Sequence, residues 1–216
     1  MPYRRLTVTL TLAGLLTLGV GALGPQNGIG QTPSAATPAP GECSVAPLPA
    51  PVWDGVEIAE PTAPVSVEGP FTPPTGTAVD DDTLAGVTAT ITESIACQNA
   101  GDVARTLALF TPDAVRAFFS GPRGFDAASV DATVAAGAMP VAEGRVITLV
   151  SIGEVTRLAD GRVGAVVTTT AGEVEYVDFL FLAQGEAPDG TGRWLIDASI
   201  AIDGQTQVSG EATTIP

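Results

Sequence analysis

The run Val174-Glu175-Tyr176-Val177-Asp178-Phe179-Leu180 sets a carboxylate two residues from a phenol inside an apolar stretch. With the strand period of two, Tyr176 and Asp178 share a face with Val174, Leu180 and Leu182. A carboxylate on an apolar wall is the kind of group whose pKa rises on desolvation, which suits it to general-base work. The sequence contains no His, and its nine basic residues are all Arg. Acid/base chemistry therefore falls to a carboxylate or Tyr with a shifted pKa. The competing reading is an outward-facing Asp178, paired or solvated. Glu175 shares the opposite face with Val177, Phe179 and Phe181, so both faces are mixed and the sequence leaves the choice open. The outward-facing reading is the working one.

Other constellations argue for structure rather than reaction. Without His, a Ser-His-Asp triad is impossible. The glycines follow neither GxxxxGK nor GxGxxG spacing, so no phosphate loop or dinucleotide cofactor site is expected. Asp80-Asp81-Asp82 lacks the alternating ligands of a calcium loop and sits where a helix N-cap belongs, so no metal is expected. Asp197 alternates against Trp194, Ile196, Ala198, Ile200 and Ile202, which read as a buried face. Asp113 reads as a capping residue, and Arg105 and Arg116 as exposed.

These residues sit in a chain with a clear order of elements. Arg4-Arg5 and an apolar run to Leu23 form an export signal or membrane anchor over residues 1–30. The sequence leaves open whether it is cleaved and which export route it takes. If it is not cleaved, it is the chain's contact with a membrane. Residues 31–79 are Pro-rich and read as a disordered or extended linker, although Val45, Leu48, Val52, Trp53, Val56 and Ile58 could lie against a folded domain. Residues 80–203 carry the periodic elements, and 204–216 form a tail. Leu84, Val87, Ile91 and Ile95 define one helix face ending near Asn99-Ala100-Gly101. Asp102 starts a short second helix. Thr111-Pro112 starts a third, burying Val115, Phe118 and Phe119, and a fourth spans 126–137. Four β-rich runs follow between Arg145 and Asp203, broken by Asp160-Gly161, Ala171-Gly172 and a Gly/Pro/Asp loop. Helices followed by consecutive strands make an α+β domain, with the helices packed on an antiparallel sheet.

The net charge of −15 excludes a nucleic-acid partner, since a phosphate backbone needs a basic surface. Cys43 and Cys97 are an even pair in an exported chain that lacks His or Lys to activate a thiol. A disulfide between them is expected, in an extracellular or cell-surface setting.

The stretch "ITESIACQNAGDVARTLALFTPDAVRAFF", with Asn99, Gly101, Asp102, Phe110, Thr111, Pro112 and Asp113, resembles the opening of nuclear transport factor 2-like domains. That superfamily includes the SnoaL-like polyketide cyclases. "GRWLIDASIAID" is similar to the family's last strand at Trp194, Ile196 and Asp197. The resemblance covers about residues 80–203. It implies a cone-shaped fold, a curved sheet wrapped on a helix around an apolar pocket, often in a homodimer. Ketosteroid isomerase-like members use an Asp base with a Tyr donor, which the resemblance carries onto Asp178 and Tyr176. The expectation is a non-catalytic exported module that binds a small apolar ligand or a protein partner. Its pocket would be lined by Leu84, Val87, Ile91, Phe118, Phe119, Trp194 and Ile196. The alternatives are a carbon-acid isomerase, dehydratase or cyclase using Asp178 and Tyr176, and a structural dimerisation module.

Overall fold

The computed structural model describes residues 35–52, 71–121 and 124–202. The expected signal or anchor, the tail, and the apolar residues Trp53, Val56 and Ile58 lie outside them. The described chain is α+β. A long helix α1 (Asp81–Asn99) is followed by short helices α2 (Val103–Leu107), α3 (Pro112–Phe118) and α4 (Ala127–Ala135). Strands β4 (Ile147–Arg157), β5 (Val163–Ala171), β6 (Val174–Glu186) and β7 (Gly192–Ala201) follow. With β1 (Thr77–Ala78) they form an antiparallel sheet in the order β1-β4-β5-β6-β7. A two-residue hairpin, β2 (Ser120–Gly121) with β3 (Gly124–Phe125), separates α3 from α4. Among the described residues, no helix is long and apolar enough to cross a membrane.

Capping chemistry places the helix starts. Asp80 accepts from the Thr83 amide at 2.7 Å and Asp102 from that of Arg105 at 3.0 Å. Thr111 accepts from the Ala114 amide, with Pro112 behind it in the first turn. Asp113 is therefore not the cap. It pairs with Arg116 one turn on.

Val87, Ile91 and Ile95, four residues apart, pack α1 onto Leu149, Val163, Val167, Leu182 and Ile196. Each such burial stabilises by about 1.5–3 kcal/mol relative to exposure. The stripe continues back to buried Thr83, so Leu84 points away and is 37% exposed. Two smaller clusters flank this core. One surrounds Cys43, Cys97 and Leu109, and the other joins α2, α3 and α4 through Leu107, Val115 and Val130. Phe110 packs against all three.

Residues 35–52, read above as linker, form a strap against β4, α1 and α2, with a single helical turn at Pro40–Glu42. Ala36 exchanges two backbone bonds with Leu149 at 2.8 Å. Asn99 donates to the Pro38 carbonyl, and Arg105 to that of Cys43. Arg105 is thus half-buried beneath the strap rather than free on the surface. Cys43 and Cys97 form the expected disulfide, closing a separation of 54 residues.

β7 departs from simple alternation. Leu182 pairs with Ile196, but Phe181 pairs with Ala198, so Asp197 is one extra residue. Trp194 and Ile196 face the core. Beyond the bulge, Ala198 and Ile200 lie opposite Phe181 and Phe179, on the other face. The expectation of one buried face from Trp194 to Ile202 therefore holds only as far as Ile196. That second face carries its own aromatic group, where Phe71 contacts Phe179 and Phe181 at centroid distances of 5.5 and 6.3 Å. Gly164 admits the Phe179 ring, since a Cβ there would meet the ring tip at 2.3 Å.

Candidate functional site

β6 carries the residues singled out for chemistry. Its pairing with β5 runs without a shift from Val163↔Leu182 to Ala171↔Val174. Strict alternation therefore applies. Leu182 is in the core under α1, so Leu180, Asp178, Tyr176 and Val174 share its face. Asp178 lies directly opposite core residue Val167 on one side and Ala201 on the other. The working expectation of an Asp178 on the outer face gives way to a half-buried residue on the core side. Phe179 and Phe181 occupy the outer face instead. Tyr176 and Val174, on the same face but beyond the end of β7, are 42% and 52% exposed. Asp178 also engages another group.

The seven residues expected to line one pocket are not brought together. Val87, Ile91, Trp194 and Ile196 belong to the core under α1. Leu84 is exposed beside it. Phe119 packs on the cluster of α2, α3 and α4, and Phe118, 52% exposed, stacks edge-on against it at 5.1 Å. A third short helix of seven residues buries Ala114 and Val115, and its end turns Phe118 outward.

The electrostatics of the described carboxylates are those of caps and ion pairs. The Thr83 amide holds Asp80 below its ordinary value, and the Thr191 amide does the same for Asp189. Arg162 holds Asp160 down through its guanidinium and amide. Burial pushes the Glu93 carboxyl up, but bonds from Arg193 and Ser44 outweigh it, and the net direction is down. Arg162 also bonds Asp197 at 2.8 Å and stacks over Phe181 at 4.4 Å. The Thr111 hydroxyl donates to the other Asp197 oxygen at 2.9 Å. Asp197 thus ties the bulge to the start of α3. Among the described residues, no group of three or more His, Cys, Asp or Glu could hold a metal ion.

A surface groove of about 680 Å³ opens at the far end of β6, between the first half of α1 and the β6–β7 hairpin. Gly86 and Ala89 line one wall, Gly185 and Gly192 the other, with Trp194 and Arg193 beside them. None of these except Trp194 was singled out from the sequence. The usable signal was Gly86, since glycine inside a helix costs about 1 kcal/mol and implies close approach. A Cβ at Gly86 would meet Trp194 Cδ1 at 2.8 Å. Compared with family models, curated proteins and solved structures, the chain matches none.

Proposed function

We propose that the folded domain is an exported, non-catalytic module of the nuclear transport factor 2-like cone type. It takes a small apolar ligand, or the apolar side chains of a protein partner, at the open end of its sheet. The observation that carries this is the core-side face of β6. That face runs from Leu182 under α1, through half-buried Leu180 and Asp178, out to solvent at Tyr176 and Val174. The apolar side chains of this face, Leu182, Leu180 and Val174, continue past their own cover, and an apolar guest would complete it beside Tyr176.

Tyr176→Ser combined with Val174→Ser should abolish retention of the native guest while leaving the melting temperature unchanged. The guest is sought by mass spectrometry of material co-purifying with the exported protein. Wild-type retention in the double variant would reject this site. The position of Asp178 and Tyr176 on one core-side face favours a second reading, a carbon-acid enzyme with Asp178 as base. Asp178→Asn separates the two. Unchanged binding supports the module, whereas loss of an isomerase or dehydratase activity with the fold intact supports the enzyme.

A further inference from the structure

We infer that the channel beneath residues 35–52 is a peptide-binding groove. In the oxidised chain the strap fills it as a resident ligand, and reduction of the Cys43–Cys97 disulfide opens it to a segment of a partner protein. It shares no residue with the guest site proposed on β6.

The way the strap is held carries this. The body bonds mainly its backbone. Leu149 pairs with both backbone groups of Ala36, Asn99 donates to the Pro38 carbonyl, and Arg105 donates to that of Cys43. Glu93 accepts from the Ser44 and Val45 amides, the Ala104 carbonyl from the Leu48 amide, and Asp131 from the Val52 amide. The strap's side chains add the Thr37 hydroxyl, bonded to that of Thr148, and the Ser44 hydroxyl, which donates to Glu93. Backbone groups are common to all peptides, so a surface that reads them takes any segment able to follow the same course. Bonds to main chain give such grooves affinity, and pockets for side chains give them selectivity.

The buried strap side chains set that selectivity. Pro38, Cys43 and Val45 are buried, Leu48 and Val52 are half-buried, and those between are mostly exposed. All five anchors are uncharged. The partner segment that fits is therefore Pro-containing, with small or apolar residues at these spacings and polar ones only between them.

The body does not need the strap to stand. The main core under α1 contains no strap residue. The strap covers a smaller floor that includes Ala96, Cys97, Ala108, Leu109 and Ala187. The disulfide is the latch. A dithiol reductant passes two electrons to it, leaving Cys43 and Cys97 as thiols and itself as a cyclic disulfide. The strap is then only tethered, and it competes with a free peptide at an effective concentration on the order of millimolar.

The test uses the full chain. The probe is a fluorescent synthetic peptide of residues 35–52 with Cys43→Ser, followed by anisotropy. The oxidised chain should not bind it. The chain held in excess dithiothreitol should bind it saturably, with a midpoint on the order of millimolar. Val45→Asp in the chain unseats its own strap, so the reduced variant should bind the probe at least about tenfold tighter. A probe carrying Val45→Asp should bind neither chain. Circular dichroism checks that the variant keeps its sheet; if it does not, the reduced wild-type chain decides alone. The proposal is overturned if millimolar probe gives no saturable binding to the reduced chain, if the oxidised chain binds it equally, or if the Val45→Asp probe binds as well as the unaltered one. A reduced chain that dimerises and excludes the probe assigns the groove to a second copy, which also overturns it.

Discussion

Asp197 sits where β7 has one residue more than β6 between the partners of Leu182 and Phe181. Its carboxylate reaches both Arg162 on β5's approach and Thr111 at the start of α3. Both charges are partly exposed, so the pair is worth little in itself. Asp197→Asn should lower stability by about 1 kcal/mol, measured by urea unfolding. The neighbouring Ile196 is a different case. It is 3% exposed, pairs with Leu182, and exchanges backbone bonds with Leu109 and Thr111. Ile196→Asp puts an unpaired charge against α1 and should cost at least about 4 kcal/mol, close to the whole stability of a domain at the low end of the usual range. A folded variant with wild-type circular dichroism and urea midpoint would show that this cluster is not the core.

At the scale of elements, Glu93 on α1 joins three parts of the chain. It accepts from the Ser44 amide and hydroxyl and the Val45 amide on the strap, and from Arg193 on β7. Its folded pKa is depressed below the ordinary 4.5, so its contribution is present above that value and is lost as pH falls through the folded one. Glu93→Gln should therefore cost about 2 kcal/mol at pH 7. The difference from wild type should shrink as pH falls from about 4.5 downward, because both proteins then carry a neutral group. A difference constant from pH 7 to pH 3 would mean that the charge is not what matters. Contacts of this kind also explain what the sequence did and did not disclose. The four long strands were legible because β-branched runs stop at Asp160-Gly161 and Ala171-Gly172. The start of α1 was legible because Asp80 precedes a four-residue apolar spacing. The bulge at Asp197 was not, since it is set by register between strands distant in sequence. It reversed the assignment of Ala198 and Ile200. The strap was not legible as such. Its Pro-rich composition read as a linker, whereas its anchors are side chains at Glu93, Asn99 and Arg105. The expected pocket failed to assemble because spacing along one helix cannot say where α3 turns Phe118 and Phe119 relative to the sheet.

For the whole molecule, the decisive covalent feature is the Cys43–Cys97 link between strap and α1. A closed loop of this length stabilises by about 4 kcal/mol in the loop-entropy account, roughly 10 °C in melting temperature. The link is at home in a non-reducing compartment, and both cysteines lie in a cluster buried from solvent. Reduction removes the constraint but leaves the strap its bonds to Leu149, Asn99, Glu93 and Ala104. The sheet, held by pairings among β4, β5, β6 and β7, does not depend on it. The full chain made in a reducing cytoplasm should therefore keep its β-sheet while the strap opens. Limited proteolysis should then cut within residues 35–52 before any site in the strands, and oxidation should slow that cut at least tenfold. Equal cutting of oxidised and reduced protein would show that the disulfide does not hold the strap. Cutting of strap and strands together after reduction would show that the strap is not separable from the core. In the native host, the same cross-linked peptide pair should appear in protein recovered outside the cytoplasm. Unprocessed chain accumulating in the cytoplasm with two free thiols would overturn the exported reading.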